Sequence, residues 1–524
     1  MATQWQTYPI EFRGGLISNL SPLQQGINAV GSATILQNFE PNKNGGYSKL
    51  LGFEKYSTTT VPGTGPILAL KVISSGRVVV ARKVDSAAIS AVTGLSSGDE
   101  NKTAYYYGTG TTWTFMAKSA STNGGKARHT EFNLDGDDKV IFVDGTSYPA
   151  IYNTSGNTTT FLTSSNSSDI SGAEHVAMFK KHAWYAKGNN LYFSAPSNVS
   201  SFGSGSGVIN VGQSVTGLIV FRDQLIVFTT DTIQKITGST ISDWSLSPIT
   251  NKTGCINGDT IQEVGGDIIY LAPDGIRLLS ATDRIGDFAL DVASDTIHKD
   301  ADSFLGTSNN FSSMIIRGKS QYRVFAYVSS ELDSVAKGLI ATKFIAQGSE
   351  GINWSSTVGI KAHVSDSRYA SDQETSMFAN DNGYVYKMES GSSFDGDSIE
   401  AIYESPFMPL EDPQLRKTFY KMTLYITPTG TTSIDLNMIY DFDSDITIQP
   451  PKQSISSTGT SVFLYGASNA IYGTATYGGE LDKIYNTNII GSGKTVAIRI
   501  SDFSTNPTFT LDTAVLEYRQ NDRQ

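Results

Sequence analysis

The sequence predicts an all-β protein, with a β-propeller of about six blades followed by an antiparallel β-sandwich. Between residues 140 and 279 one unit recurs, in which a short apolar strand, a tight turn and a second strand follow one another. Repeated strand pairs with no helical pattern between them are typical of propeller blades. After residue 400 the strands are longer and alternate apolar with polar residues, which favours a sandwich.

The chain divides into three predicted parts. Residues 1–60 are expected to form an N-terminal arm and a first strand, 61–400 the propeller, and 401–524 the sandwich or platform. Gly45 and Gly46 are expected to make a turn, after which 47–53 would begin the first blade. Hairpins are predicted for 67–73 with 77–83, 103–107 with 112–116, 311–317 with 321–328, and 376–380 with 383–387.

Three stretches depart from the strand pattern. Residues 85–103 and 154–172 are rich in small polar residues and are predicted to be surface loops. Residues 281–310 are the one helical candidate, as a short helix or an irregular insertion. The apolar residues of its loosely defined face are Leu290, Val292, Ile297 and Phe304.

Composition narrows the class of protein. The 524 residues include 50 glycines, 25 tyrosines and 25 phenylalanines, which suit turns and half-buried sheet faces. A single cysteine, Cys255, excludes an internal disulfide framework and a cysteine-rich metal site. The first ten residues do not resemble a signal peptide, and no apolar run approaches the length of a membrane helix. The net charge of −11 comes without the basic stripe that nucleic-acid-binding proteins usually show.

Two glycine-rich motifs resemble known sites and fail on their details. Residues 491–495 read Gly-Ser-Gly-Lys-Thr, but a phosphate loop needs an earlier glycine where Asn488 stands, and a helix after it. The residues after 495 favour a strand, so a hairpin turn is expected. Residues 121–126 resemble the Asp-box of sialidases, with Asn123 in place of the aspartate, and are expected to form a turn.

No residue is assigned a catalytic, cofactor-binding or metal-binding role. The acidic runs 135–138 and 441–445 lack the glycine and distal glutamate of an EF-hand, so they are expected to be surface turns. His175 and His182 are the one close histidine pair, expected to pack within a hairpin, and Cys255 is expected to be a small buried residue. No pair of carboxylates is marked out for glycoside hydrolysis.

The N-terminal residues carry a resemblance to a family. These residues are Gly14-Gly15, Ser21-Pro22, Asn38 and the glycine-rich turn of residues 45–52. With these features the chain resembles the tail nozzle, or tubular tail, proteins of short-tailed bacteriophages, which stabilise packaged DNA. Lys49-Leu50 stands where that family has an Arg-Pro step. Residues 179–185, 191–194 and 219–228 look like blades of that family.

The resemblance implies a structural virion protein and not an enzyme. Six copies would form a ring below the adaptor in the tail, assembled in the host cytoplasm, closing the portal channel and conducting DNA during ejection. The implied partners are further copies of the chain, the adaptor or head-to-tail connector, and the tail fibre and needle or plug proteins. Genomic DNA would pass through the lumen without specific binding, and neither a cofactor nor membrane insertion is expected.

A second hypothesis comes from a different functional class. A propeller with a sandwich module could be a glycan-binding or glycan-cleaving receptor-binding tail protein, in which Trp113 and Trp184 stack on sugars. Core packing is the competing interpretation of both tryptophans, because each lies in a predicted strand. A generic propeller scaffold for protein contacts is the third hypothesis.

Overall fold

The computed structural model is an all-β protein, which confirms the predicted fold class. It describes residues 5–74, 76–279, 292–346, 349–370, 373–456 and 484–521. Half of the chain is strand and 8% is helix, with a six-bladed propeller arrangement. Among the described residues, no helix is long and apolar enough to cross a membrane.

Six four-stranded antiparallel units surround the propeller axis, numbered here as blades 1 to 6 in chain order. Blade 1 contains Thr64–Ser74, Arg77–Lys83, Lys102–Gly108 and Trp113–Thr122, and blade 2 contains Arg128–Phe132, Lys139–Val143, Ala150–Asn153 and Thr158–Phe161. Blade 3 contains His175–Phe179, His182–Lys187, Asn190–Phe193 and Gly207–Asn210, and blade 4 contains Val215–Phe221, Gln224–Thr229, Ile233–Thr237 and Ser245–Thr250. Blade 5 contains Phe311–Ile316, Gln321–Ala326, Lys337–Ala346 and Ser349–Val358, and blade 6 contains Val364–Ala370, Gln373–Ala379, Val385–Met388 and Phe53–Lys55. Between blades 4 and 5 lies a three-stranded sheet of Gln262–Val264, Asp267–Ala272 and Gly275–Leu278. All four predicted hairpins are present.

The short apolar strands form because each is buried on both faces. In Lys139–Val143, Val140 and Phe142 pack towards blade 1, whereas Ile141 and Val143 pack towards blade 3. A strand covered on both sides carries a continuous apolar run instead of an alternating one. The repeated pattern in the sequence is therefore a direct record of blades stacked side by side.

The propeller is closed by the N-terminal part of the chain. Phe53–Lys55 pairs with Val385–Met388 as the outer strand of blade 6, and the Phe53 ring lies 5.0 Å from that of Phe378 and 4.8 Å from that of Phe394. The prediction that 47–53 begins the first blade is therefore wrong. Gly52 explains the route of the chain, because a Cβ there would collide with the Ser393 backbone.

The sandwich contains strands from both ends of the chain. One layer is a seven-stranded sheet of Gln6–Glu11, Phe39–Pro41, Tyr47–Lys49, Lys417–Pro428, Ile484–Asn488, Ser492–Gly493 and Phe509–Gln520. The other is formed by Ile35–Gln37, Ala401–Glu404, Ser433–Tyr440, Gln453–Ser456 and Val496–Asp502. This second layer continues the sheet of blade 5, since Gln37 pairs in parallel with Ser356. The strands of residues 1–60 are thus shared between the sandwich and blade 6, and are not an arm.

A buried ion-pair network, called here the junction cluster, fastens the sandwich to blades 5 and 6. Glu40 accepts hydrogen bonds from Lys319 at 2.5 Å and from Arg323 at 2.9 Å. Arg323 also lies 2.7 Å from Glu389, which pairs with Lys319 as well. Gln321 donates to Glu40 at 3.1 Å, so both carboxylates have several partners.

Three α-helices lie in the described residues: Pro22–Asn28, Ser86–Ala91 and His298–Leu305. The last confirms part of the helical candidate, with Ile297 and Phe304 buried; Val292 lies in an isolated bridge to Arg277, and Leu290 is outside the described residues. The predicted loop 85–103 contains the second helix, capped by Asp85, which accepts from Ala88 N at 2.8 Å. The predicted loop 154–172 contains the outer strand of blade 2, Thr158–Phe161.

Candidate binding site at the propeller axis

A polar pocket of about 270 Å³ lies where the inner strands of the blades meet. Its charged and titratable lining residues are Lys126, Arg128, His129, His175, Asp259 and Asp366. They come from the start of blades 2 and 3, from the first strand of blade 6, and from the turn before the three-stranded sheet. The pocket therefore depends on closure of the whole propeller.

Local backbone structure brings two of these groups to the axis. Asp259 lies in a 3₁₀ turn, Gly258–Thr260, whose first residues are held by Asn257 accepting from Asp259 N at 2.9 Å. A Cβ at Gly258 would collide with the carbonyl of Thr216, so glycine allows this turn to approach blade 4. Lys126 is fixed by its neighbour, because Ala127 N donates to Leu68 O in blade 1 at 2.7 Å.

Asp259 is held between two cations. Arg128 donates to its two oxygens at 2.8 and 3.1 Å, and Lys126 Nζ lies 3.2 Å from Oδ2. Burial alone would raise the pKa of Asp259, but the charges of Lys126 and Arg128 outweigh it and hold this pKa well below its usual range. Burial lowers the pKa of Lys126, an effect that the charge of Asp259 opposes.

A second ion-pair group lies beside the first. Lys71 Nζ is 3.1 Å from Asp366 and 2.6 Å from Glu131, and Arg368 lies 3.1 Å from Glu131. Asp366 also accepts from the backbone N–H of Val72 at 2.7 Å. All three carboxylates at the axis are thus matched by cations.

The two axial histidines differ from these charged groups. Burial and the charge of Lys71 lower the pKa of His129 to about 4. Burial and the charge of Arg128 lower the pKa of His175 to about 3. Both imidazoles are therefore neutral at pH 7, and within the described part of the chain neither ring forms a hydrogen bond. The nearest carboxylate oxygen to His129 Nε2 is 3.8 Å away, on Asp366.

The structure separates the histidine pair predicted from the sequence. His182 packs as expected, with Nδ1 2.6 Å from Ser194 O and its ring 4.9 Å from that of Trp244. His175 faces the axial pocket instead. Sequence reasoning did not find Asp259 or Asp366, because neither belongs to a motif and they lie more than 100 residues apart.

The other sequence motifs are structural. Asp441 accepts from Lys494 N at 2.7 Å and from Thr495 N at 3.1 Å, which fixes the turn predicted at 491–495. Cys255 is buried, as predicted, and burial raises the pKa of its thiol to about 12. Among the described residues, no three His, Cys, Asp or Glu side chains are placed to hold a metal ion.

The two tryptophans proposed to stack on sugars are packing residues. Trp184 is fully buried in the core between blades 3 and 4. Trp113 is partly buried, donates from Nε1 to Thr59 O at 2.9 Å and lies 6.0 Å from the ring of Tyr56. Neither presents an open aromatic face at the axis.

Comparisons with known proteins give distant structural likenesses. No family model and no curated protein matches the chain. An exo-β-1,3-galactanase from Phanerochaete chrysosporium, solved with galactose, aligns over 90% of this chain and all of its own at 11% identity, with a TM-score of 0.26. YCF48 bound to D1 peptide aligns over 67% of this chain and 97% of its own at 12% identity, with a TM-score of 0.39.

A third likeness covers only part of a larger protein. The extracellular domain of a putative one component system from B. thetaiotaomicron aligns over 73% of this chain at 9% identity, with a TM-score of 0.39. This chain spans 46% of that domain's length. At these scores none of the three likenesses carries an argument about function.

Proposed function

We propose that this chain is a non-enzymatic structural protein of a bacteriophage tail, a nozzle subunit that assembles into a ring below the adaptor. The observation that carries the proposal is the position of the N-terminal residues on which the family resemblance mainly rests. They lie together at the connection between the sandwich and the propeller, where they set the path of the N-terminal chain.

Three of these residues have structural roles that their chemistry explains. Gly15 has φ +68°, and a Cβ there would lie 2.8 Å from the backbone of Trp354. Asn38, at φ 53°, donates to Val358 O and Glu400 O at 3.0 Å each and so joins blade 5 to the start of the sandwich. Ser21 caps the helix Pro22–Asn28. A motif shared for such reasons favours a common architecture.

The sandwich presents an apolar tip suited to contact with another protein. Ile446 and Ile448 are 93% and 90% exposed. Their loop is braced, because Asp441 accepts from Thr447 Oγ1 at 2.9 Å and Gln449 bonds both backbone groups of Tyr440 at 2.9 Å. Exposed apolar groups on a fixed loop are typical of interaction surfaces. Such a surface supports association with a further copy or with the adaptor.

The axis supports a structural role for the propeller itself. Ion pairs line the axis, and the axial pocket of about 270 Å³ is far too small for duplex DNA. In a ring of copies, DNA would therefore pass between the subunits and not through a propeller. The pairing of all three carboxylates also weighs against a glycosidase, whose general acid needs a raised pKa.

The test is electron microscopy of the chain alone and mixed with the adaptor–portal complex of its virion. We expect a ring with an axial channel, in the mixture or in both samples. A chain that stays monomeric or trimeric and ignores the complex would refute the proposal, and a glycan array would then test the receptor-binding hypothesis.

A matched pair of variants addresses the contact surface. Ile446→Ser with Ile448→Ser should reduce ring assembly without lowering the melting temperature. The control is Leu332→Ser, a single change of the same kind at a residue that is 73% exposed on the propeller. Equal assembly by both variants would show that Ile446 and Ile448 do not take part in the contact between subunits.

A further inference from the structure

The axial pocket offers hydrogen-bonding groups but no unmatched charge. Asp259 is paired with Lys126 and Arg128, while Asp366 and Glu131 share Lys71. A charged ligand would have to break one of these pairs and leave a buried ion without a partner, which typically costs several kcal/mol. The arrangement therefore favours a ligand without net charge.

The charged groups of the pocket are engaged in ion pairs, which leaves His129 and His175 as the groups able to hydrogen-bond a ligand. His175 is 7% exposed and lines the pocket. A neutral imidazole has one N–H donor and one nitrogen acceptor. Neither ring has a hydrogen-bond partner in the described part of the chain, and the His129 side chain is 21% exposed, so a ligand or water in the pocket satisfies the ring nitrogens. The matching ligand group is one that both donates and accepts, which is the property of a hydroxyl.

The remaining lining limits the size and shape of the ligand. Leu70, Leu218 and Ile261 add apolar surface to the same pocket. A volume of about 270 Å³ is close to the lower end of ligand pockets, which begin at roughly 300 Å³. It holds one six-membered ring with its substituents, or several waters at about 30 Å³ each. Hydroxyls on the edge and C–H groups on the faces of such a ring match this mixture.

We propose that the axial pocket binds a small neutral polyhydroxyl molecule, a single hexose-sized ring, through His129 and His175. The site recognises its ligand and does not cleave it, because the neighbouring carboxylates are held in ion pairs. Binding at the axis needs only the folded propeller. It is therefore independent of the proposed ring, and either proposal can fail without the other.

Histidine-labelled NMR on the unmodified chain is the first test, since the chain has only five histidines. Neutral hexoses and an N-acetylhexosamine should shift the imidazole signals of His129 and His175 and leave that of exposed His298 in place. Dissociation constants in the millimolar range are expected from so few hydrogen bonds. Amine, uronate and phosphate forms of the same sugars should bind more weakly.

A second experiment distinguishes the end of a glycan from a free sugar as the ligand. It uses an oligosaccharide whose terminal residue is the monosaccharide that binds best. A shift with both molecules assigns the site to a glycan end, and a shift with the monosaccharide alone assigns it to a free polyol. If no neutral polyol moves either histidine, the pocket holds water only and the proposal is wrong. Tighter binding of a charged sugar would also overturn it.

Variants locate the site independently. His129→Gln and His175→Gln should each weaken binding by about tenfold or more, the equivalent of losing at least one hydrogen bond. His182→Gln is the matched control, because His182 is a buried histidine in the same hairpin as His175 but bonds to Ser194 O. Only variants with the circular dichroism spectrum of the parent chain are compared. Equal loss in all three would overturn the assignment to the axis.

Discussion

Two buried ion-pair networks hold this molecule together, and they differ in their access to water. In the junction cluster Arg323 is 1% exposed and Glu40 5% exposed, and Gln321 donates a further hydrogen bond to Glu40; only the Lys319 side chain, at 31%, is substantially open to water. In the axial network Lys126 is 12% exposed and Arg128 29% exposed, and both line a pocket. The same chemistry thus forms a buried arginine–glutamate pair at one place and lines a polar cavity at the other.

The difference follows from what each network joins. The junction cluster lies between one sandwich strand and two adjacent blades, where the sheets pack directly against each other. The axial network lies where the inner strands of all the blades approach a common line and cannot fill it. Charge removal should therefore be more costly at the Glu40–Arg323 pair, which is less exposed to water than Arg128.

The largest effect is expected at the junction. Glu40→Gln keeps the shape of the side chain but leaves Lys319 and Arg323 with one carboxylate instead of two. We expect a loss of about 3–5 kcal/mol in the free energy of unfolding, as for other broken buried pairs. Urea denaturation measures it. Glu11→Gln, which removes an exposed surface pair with Arg13, is the control and should change the midpoint little. Equal midpoints for both variants would show that the cluster is not structurally important.

The second-largest loss in the free energy of unfolding is expected at the apolar strand that closes the propeller, Phe53–Lys55. Phe53→Ala removes a ring that packs on Phe378, Tyr386 and Phe394. We expect a loss of about 3 kcal/mol, at the lower end for a buried phenylalanine, because Phe53 is 9% exposed. Phe442→Ala, at an exposed ring, is the control. Faster hydrogen exchange confined to blade 6 would show that the closing strand opens first, and uniform exchange would contradict this.

The third effect is the axial counterpart of the first. Asp259→Asn removes the charge shared by Lys126 and Arg128, with an expected loss of about 1–3 kcal/mol because the pocket lets water reach both cations. The pKa of Asp259 is depressed in the folded state, so its contribution is present above about pH 4 and is lost as the pH falls further. Denaturation at pH 7 and pH 3 should show a smaller difference between variant and parent at pH 3. A cost at pH 7 equal to that of Glu40→Gln would remove the distinction between the two networks.

The blades could be predicted from the sequence because their signal is local. Each strand pairs with its neighbour through a short turn, and burial on both faces gives the apolar runs of strands such as Lys139–Val143. The longer sandwich strands, such as Phe509–Gln520, were also predicted, because their alternation is visible over many residues.

The N-terminal strands could not be placed in this way. Ile35–Gln37 and Phe53–Lys55 have three residues each, and their partners lie more than 300 residues further along the chain. The axial site has the same difficulty, because Lys126, Asp259 and Asp366 are ordinary turn and strand residues until the propeller closes. The sequence predicted only that His175 lies in a hairpin with His182. It did not indicate that His175 would face the axial pocket while His182 packs within the blade.

The smallest effect at neutral pH concerns the axial histidines and sharpens the contrast in another way, since the junction cluster contains no histidine. The pKa values of His129 and His175, about 4 and about 3, are depressed from the ordinary 6.5. Between pH 6.5 and about 4 the unfolded chain binds protons that the folded chain does not, so stability falls as the pH falls through this window.

His129→Gln should reduce that loss of stability, and His298→Gln, at an exposed position, should not. Burial also depresses the pKa of His363, to about 4, so part of the slope should remain in the first variant. If the slope of unfolding free energy against pH is the same in all variants, the axial rings are solvated enough to titrate normally, and the axis is more open to water than the structure indicates.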